Sequence, residues 1–266
     1  MVSESGPTCS TVPTSIPPEP VTGLCRFRNE FYSCLGARAD AQFELTDALL
    51  CADGPVRCLV DLSLAPEHRR GHGALYDGLN HGSIEIARLR RCVAGVPLPR
   101  VGERIVLAVD VSPWLRPDAE TSAQRLFCHV HGRARGTTQM IPGWPYSVVA
   151  ALQTGRSSWT AVLDAIRLGP TDDATTVTAA QLREVVDRRA GDPDIWIVLD
   201  SGYDVARLTF LLADLPVQLI GRLRSDRVLA RPVAPPRPGA RGRPPRHGPV
   251  VALADHPRLN ATLEGD

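Results

Sequence analysis

Ile195-Trp196-Ile197-Val198-Leu199-Asp200-Ser201-Gly202-Tyr203-Asp204 begins with an unbroken apolar run and then turns on a carboxylate. A short continuous run of this kind, with β-branched Ile195, Ile197 and Val198, fits a strand buried within an α/β sheet. An earlier stretch, Ile105-Val106-Leu107-Ala108-Val109-Asp110, has the same form and the same ending. Ligands of open α/β sheets gather outside the carboxyl ends of the strands, so Asp110 and Asp200 are the first candidates for chemistry. If the two strands are neighbours, the carboxylates converge. Their repulsion then calls for a cation, and a hard divalent ion such as Mg²⁺ or Mn²⁺ suits oxygen ligands. Two such ions can clamp the attacking and leaving oxygens of a phosphodiester. Spacing alone leaves one alternative open, a pair of acidic residues capping the helices that follow them.

Outward from these strands, residues 125–130 and 147–152 read as further strands, the second after the turn-rich Pro142-Gly143-Trp144-Pro145. Residues 158–168 and 178–189 read as helices, the latter opened by Thr178 as a cap three residues before Gln181. Residues 205–212 read as a helix and 217–220 as a strand. The order of three strands, helices, strand, helix, strand predicts a mixed sheet covered by helices, and this segment spans residues 100–230. Upstream, Pro97-Leu98-Pro99 marks a domain boundary. Residues 23–99 read as a small helical domain, with helical periodicity over 28–52 and 83–93 and, at 65–73, a polar, positively charged loop or helix start. Residues 1–22, rich in Ser, Thr and Pro, read as a disordered lead-in. Trp114, Trp144, Trp159 and Trp196 are assigned to the core or to loop packing.

A length of 266 residues, 43% hydrophobic, is enough for one core of ordinary size and a small second domain. No stretch approaches the roughly 20 apolar residues of a membrane helix, and the start lacks a basic, then apolar, leader. Seven cysteines, an odd number without a Cys-x-x-Cys pair, argue against a disulfide framework or structural zinc, so a reducing cytoplasm is expected. The 30 basic residues are all Arg and face 29 acidic ones, giving a net charge of +1 and no global field. Local clusters remain. Arg69 and Arg70 sit in His68-Arg69-Arg70-Gly71-His72, and Arg88 and Arg91 share a helix face. Both clusters read either as phosphate contacts or as solvated faces. Residues 231–266 form a Pro/Arg-rich arm and tail whose centre, Arg241-Gly242-Arg243-Pro244, resembles an AT-hook core suited to a narrow minor groove. A solvated Pro-rich loop is the alternative.

Several motifs in order carry a wider resemblance: Ala108-Val109-Asp110-Val111-Ser112-Pro113-Trp114-Leu115-Arg116-Pro117-Asp118, Gln139-Met140-Ile141-Pro142-Gly143-Trp144-Pro145-Tyr146, Leu199-Asp200-Ser201-Gly202-Tyr203-Asp204, and Gly221-Arg222-Leu223-Arg224-Ser225-Asp226-Arg227. Together they resemble bacterial insertion-sequence transposases of the DDE superfamily, of the actinobacterial endonuclease type, over residues 26–249. The resemblance implies an RNase H-like core in which three acidic residues hold two Mg²⁺ ions (or Mn²⁺). It implies DNA as partner, both transposon ends and target, through cleavage and joining of strands, and leaves room for a homo-oligomer. Asp110 and Asp200 match the first two acidic residues, Tyr203 packs beside Asp200, and Arg222 and Arg224 approach phosphate. The third family carboxylate, a Glu on a downstream helix, finds no match in the closing Asn260-Ala261-Thr262-Leu263-Glu264-Gly265-Asp266, so a truncated, impaired copy is expected. The alternative function is a non-catalytic DNA-binding fragment that competes with a full-length transposase. Val198-Leu199-Asp200-Ser201-Gly202 also fits an aspartic-protease pattern, but that chemistry needs a second Asp-Thr/Ser-Gly or an obligate dimer.

Overall fold

The computed structural model describes residues 18–131, 138–155, 160–189, 191, 194–223, 227–233 and 246–252. The chain divides into two units, residues 1–97 and 98–266.

The first unit is helical: α1 (Pro18–Tyr32), α2 (Ala39–Leu50), α3 (Leu59–Ser63), α4 (Gly73–His81) and α5 (Ile86–Ala94). Helix α1 starts inside the segment expected to be a disordered lead-in, with Pro18 at its first position, where a missing N–H costs nothing. The periodicity over 28–52 is not one helix. It breaks after Tyr32 because the Gly36 and Ala37 amides donate to Ser83 O and Ser83 Oγ, each at 2.8 Å. A Cβ at Gly36 would stand 2.5 Å from Ser83 Oγ, so only glycine permits this approach. Helix α4 begins at Gly73, where the polar stretch left a loop or a helix start open, although two glycines weaken its propensity. Gly78 earns its place in packing, with Ala41 of α2 only 3.2 Å from where its Cβ would be. Ala48, Leu62 and Leu75 form a small core, joined by Leu45, Val56, Leu59 and Ala65. Among the described residues no helix is long and apolar enough to cross a membrane.

The second unit is a mixed sheet flanked by helices. Its elements are β1 (Ile105–Leu115), β2 (Leu126–His131), β3 (Thr138–Leu152), β4 (Thr160–Arg167), α6 (Ala174–Arg188), β5 (Ile195–Leu199), α7 (Val205–Leu211), β6 (Val217–Gly221), β7 (Val228–Ala230) and β8 (Val250–Ala252). The sheet order is β2-β3-β1-β5-β6, with β4 also on β3. Strand β2 takes the first half of β3 and β4 the second, end to end along the same edge. Strands β1, β3 and β4 are antiparallel neighbours, whereas β1, β5 and β6 run parallel. The order β4-β3-β1-β5-β6, with a helix between β4 and β5, is the RNase H-like arrangement. Helices α6 and α7 touch each other, α6 packing on β3 and β4 and α7 on β6, and Leu107, Val109, Val149, Ile197 and Leu199 are buried within the unit.

Residues 158–168 were expected to be helical, yet Thr160–Arg167 is strand β4. A register shift between Val149 and Ala150 leaves Leu163 and Asp164 both buried, which breaks the alternation by which a strand is recognised. The Pro142–Pro145 stretch, read as a turn, lies inside β3, where Pro145 faces Pro113 of β1. Two prolines fit opposite each other only as a pair that exchanges no hydrogen bonds. Nor does Thr178 cap α6: Asp173 does, accepting from the Thr176 amide, and Thr178 lies buried within the helix. The tail expected after residue 231 contains a strand, β8, paired antiparallel with β7.

Candidate active site

Strands β1 and β5 are in parallel register through Val109 and Leu199. The next residue on each strand is Asp110 and Asp200, so both carboxylates follow directly on the last pair of the ladder, where neighbouring strands are about 4.8 Å apart. Both are exposed, unlike the buried Val109 and Leu199 that precede them. Strand β5 ends here because Asp200 Oδ1 accepts the Gly202 amide at 2.8 Å, an Asx turn that takes the chain off the sheet. A Cβ at Gly202 would lie 3.0 Å from that same oxygen, so glycine keeps the carboxylate in place. Strand β1 continues past Asp110 along β3, with Asp110 opposite Val148, and Asp110 Oδ1 accepts the Val111 amide at 2.8 Å. Each carboxylate thus commits one oxygen to the backbone and has the other without a hydrogen bond among the described residues.

Beneath the pair lies a buried polar cluster. Ser147 of β3 and Thr178 and Gln181 of α6 are almost fully enclosed. Ser147 Oγ donates to Gln181 Oε1 at 2.7 Å and lies 3.2 Å from Thr178 Oγ1, and Gln181 Nε2 donates to Ser147 O at 3.0 Å. Tyr203, two residues beyond the Asp200 turn, is also buried, and its hydroxyl makes no well-formed hydrogen bond. Burial pushes its ionisation up to about 12. The nearby Thr178 and Ser147 hydroxyls oppose this, while the charges of Asp110 and Asp200 both reinforce it. Sequence reading missed this floor. The available signal was Ser147 at an inward position of β3 and Thr178 and Gln181 three apart on one helix face.

The arginine candidates fare differently. The Arg222 amide donates to Leu199 O at 3.1 Å, which brings this exposed residue next to Asp200. Arg70 is held by Asp40 at 2.8 Å and Glu44 at 3.3 Å, so its charge is already matched within the helical unit. The Arg69 amide donates to Glu44 Oε2 at 3.2 Å, and its side chain is exposed. Arg88 and Arg91 are both exposed on α5 and line a cavity of about 210 Å³ with Glu30, Cys34 and Cys92. Arg224, Arg241 and Arg243 lie outside the described residues. Trp114, assigned to the core or to loop packing, packs on the Trp144 ring but is 55% exposed, because it stands on the sheet face opposite the one from which Ser147 meets α6.

The two described aspartates have the oxygen donors a hard divalent ion prefers, each exposed and with one oxygen that accepts no hydrogen bond among the described residues. Among the described residues no third His, Cys, Asp or Glu joins them in a metal-holding group. Asp255, Glu264 and Asp266 lie outside those residues.

Among solved structures, the chain is similar to the piggyBac transposase synaptic complex with hairpin DNA, at 10% identity and a TM-score of 0.44. That similarity covers 79% of this chain and 49% of the other. It is similar to the Drosophila P element transposase strand transfer complex at 14% identity and a TM-score of 0.27, over 68% of this chain and 41% of that one. The chain therefore spans about half, or less, of the length of these transposases. No curated protein matches it. The family model of the DDE superfamily endonucleases matches residues 30–264, and the chain belongs to that family.

Proposed function

We propose that this protein cleaves and joins DNA strands in transposition, using Asp110 and Asp200 to hold Mg²⁺ or Mn²⁺. The observation that supports the reading is the parallel register of β1 and β5, whose last pair is followed on both strands by an exposed aspartate. Bound there, a divalent ion supplies charge stabilisation for the phosphodiester and a nucleophilic water. The protein's own part is to aim the carboxylates: the Gly202 and Val111 amides fix one oxygen of each, and the buried Tyr203 ring supports the turn. Arg222, beside Asp200, is placed to meet a phosphate of the scissile strand. The helical unit and the 241–243 segment are proposed as further DNA contacts, through Arg69, Arg88, Arg91, Arg241 and Arg243. A cytoplasmic location and assembly as a homo-oligomer on DNA ends belong to the same proposal.

A binding-only role is the second reading, favoured by the two-carboxylate site among the described residues. One experiment separates them: incubation with Mn²⁺ and a supercoiled plasmid carrying the gene with its genomic flanks. The cleavage reading expects nicked circles with the native chain and none with Asp110→Ala. Retarded but intact DNA in both samples supports binding alone.

A further inference from the structure

Along β1 the residues on the face of Asp110 are Ser112 and Trp114, by strand alternation. Their cross-strand partners on β3 are Val148, Tyr146 and Trp144, which share that face. Tyr146 in turn pairs with Arg167 of β4, and Phe127 of β2 pairs with Pro142, two residues before Trp144. The sheet therefore carries an aromatic strip that starts one step beyond Asp110 and ends about 13 Å away at Trp114, at roughly 3.3 Å per residue.

The strip is open. Trp114 is 55% exposed and Phe127 50%. The Trp114 and Trp144 rings lie 5.7 Å apart, tilted by 43°, so the first is steadied by the second while much of it faces solvent. Three guanidiniums border the strip. Arg116 sits 5.9 Å from the Trp114 ring but is bound to Asp118 through both ends of its fork, at 2.9 and 2.7 Å. Arg125, 5.3 Å from the Phe127 ring, donates to the Ser122 carbonyl, and Arg167 donates to the Gln124 amide oxygen. These last two partners are neutral, so among the described residues two positive charges beside the aromatic strip have no acidic partner.

We propose that this strip is a platform for an unpaired DNA strand, with a base stacked on Trp114 and backbone phosphates on Arg125 and Arg167. Aromatic faces accept any base and arginines follow the phosphates, which is the chemistry of single-strand binding. The distance from Asp110 corresponds to about four nucleotides of a B-form strand. The proposal rests on the reading of Asp110 as the cleavage site, because that reading puts DNA on this face. A partner protein is the competing occupant, and arginines without an acidic partner among the described residues favour the polyanion.

The test uses the full chain and two fluorescein-labelled probes, a 12-nucleotide oligo-dT and a blunt duplex, with affinity read by anisotropy. Trp114→Ala is expected to weaken oligo-dT binding about tenfold or more and leave duplex binding unchanged, while Trp114→Phe stays within about threefold of native. The double variant R125A/R167A is expected to lower the salt slope on oligo-dT by about 1.4, at roughly 0.7 per phosphate contact on single strands. Unchanged oligo-dT affinity in Trp114→Ala, or equal loss on both probes, overturns the proposal. So does a change in oligomeric state on light scattering without loss of oligo-dT affinity, which assigns the strip to a protein contact. Because neither probe requires cleavage, failure of the plasmid-nicking assay and failure here are distinguishable.

Discussion

Two carboxylates that follow the last pair of adjacent strands repel by roughly 1 to 3 kcal/mol if about 5 Å separates them near a protein surface, and no ion pair among the described residues involves Asp110 or Asp200. A divalent cation removes that repulsion, so the native chain should melt at higher temperature in Mn²⁺ than in EDTA. Asp110→Asn and Asp200→Asn should each abolish this shift and melt no lower than the native chain in EDTA, as measured by differential scanning fluorimetry. Tyr203 gives a second residue-scale test. Its ionisation is held up to about 12 by burial, against an ordinary value of about 10. A raised value means that the folded state keeps a proton the unfolded state has lost. The resulting stability is fully present below pH 10 and disappears as the pH rises through 12. Denaturant titrations should therefore show stability falling across that window, with a smaller fall in Tyr203→Phe.

At the scale of elements, the polar contact between β3 and α6 is expected to be costly to break. Ser147→Ala removes the donor to Gln181 Oε1 inside an enclosed site, an expected loss of about 1 to 3 kcal/mol that urea unfolding would measure. At Gly221 a Cβ would lie 2.2 Å from the Val205 side chain, so Gly221→Ala should force α7 away from the end of β6 and destabilise by about 1 to 3 kcal/mol. The same scale shows what sequence could and could not disclose. Strands β1 and β5 were legible because they are buried apolar runs, and each ended on the carboxylate that the register then brought together. Strand β4 was not, because a register shift against β3 buries two adjacent side chains and imitates another periodicity. The floor of Ser147, Thr178 and Gln181 escaped because polar residues reveal an inward position only once the strand and helix are paired. For Trp114 the ring type left core and loop packing open, and its half-exposed place follows from the sheet face it shares with Asp110, which only the strand pairing discloses.

At the scale of the molecule, the sheet and its two helices have their own core, with Leu107, Val109, Val149, Leu182, Ile197 and Leu208 all nearly inaccessible. Residues 98–266 should accordingly fold without residues 1–97, giving a cooperative thermal transition by circular dichroism. The central claim is that Asp110 and Asp200 act as one unit on DNA. Its most direct test is the Mn²⁺-dependent nicking rate of the plasmid by the native chain, Asp110→Ala, Asp200→Ala and the double variant. Residues that act together lose function non-additively. Each single variant should nick at least about 100-fold more slowly than native, as loss of several kcal/mol of charge stabilisation implies, and the double variant no more slowly than the singles. Native rates in either single variant, or losses that multiply in the double, would contradict the account.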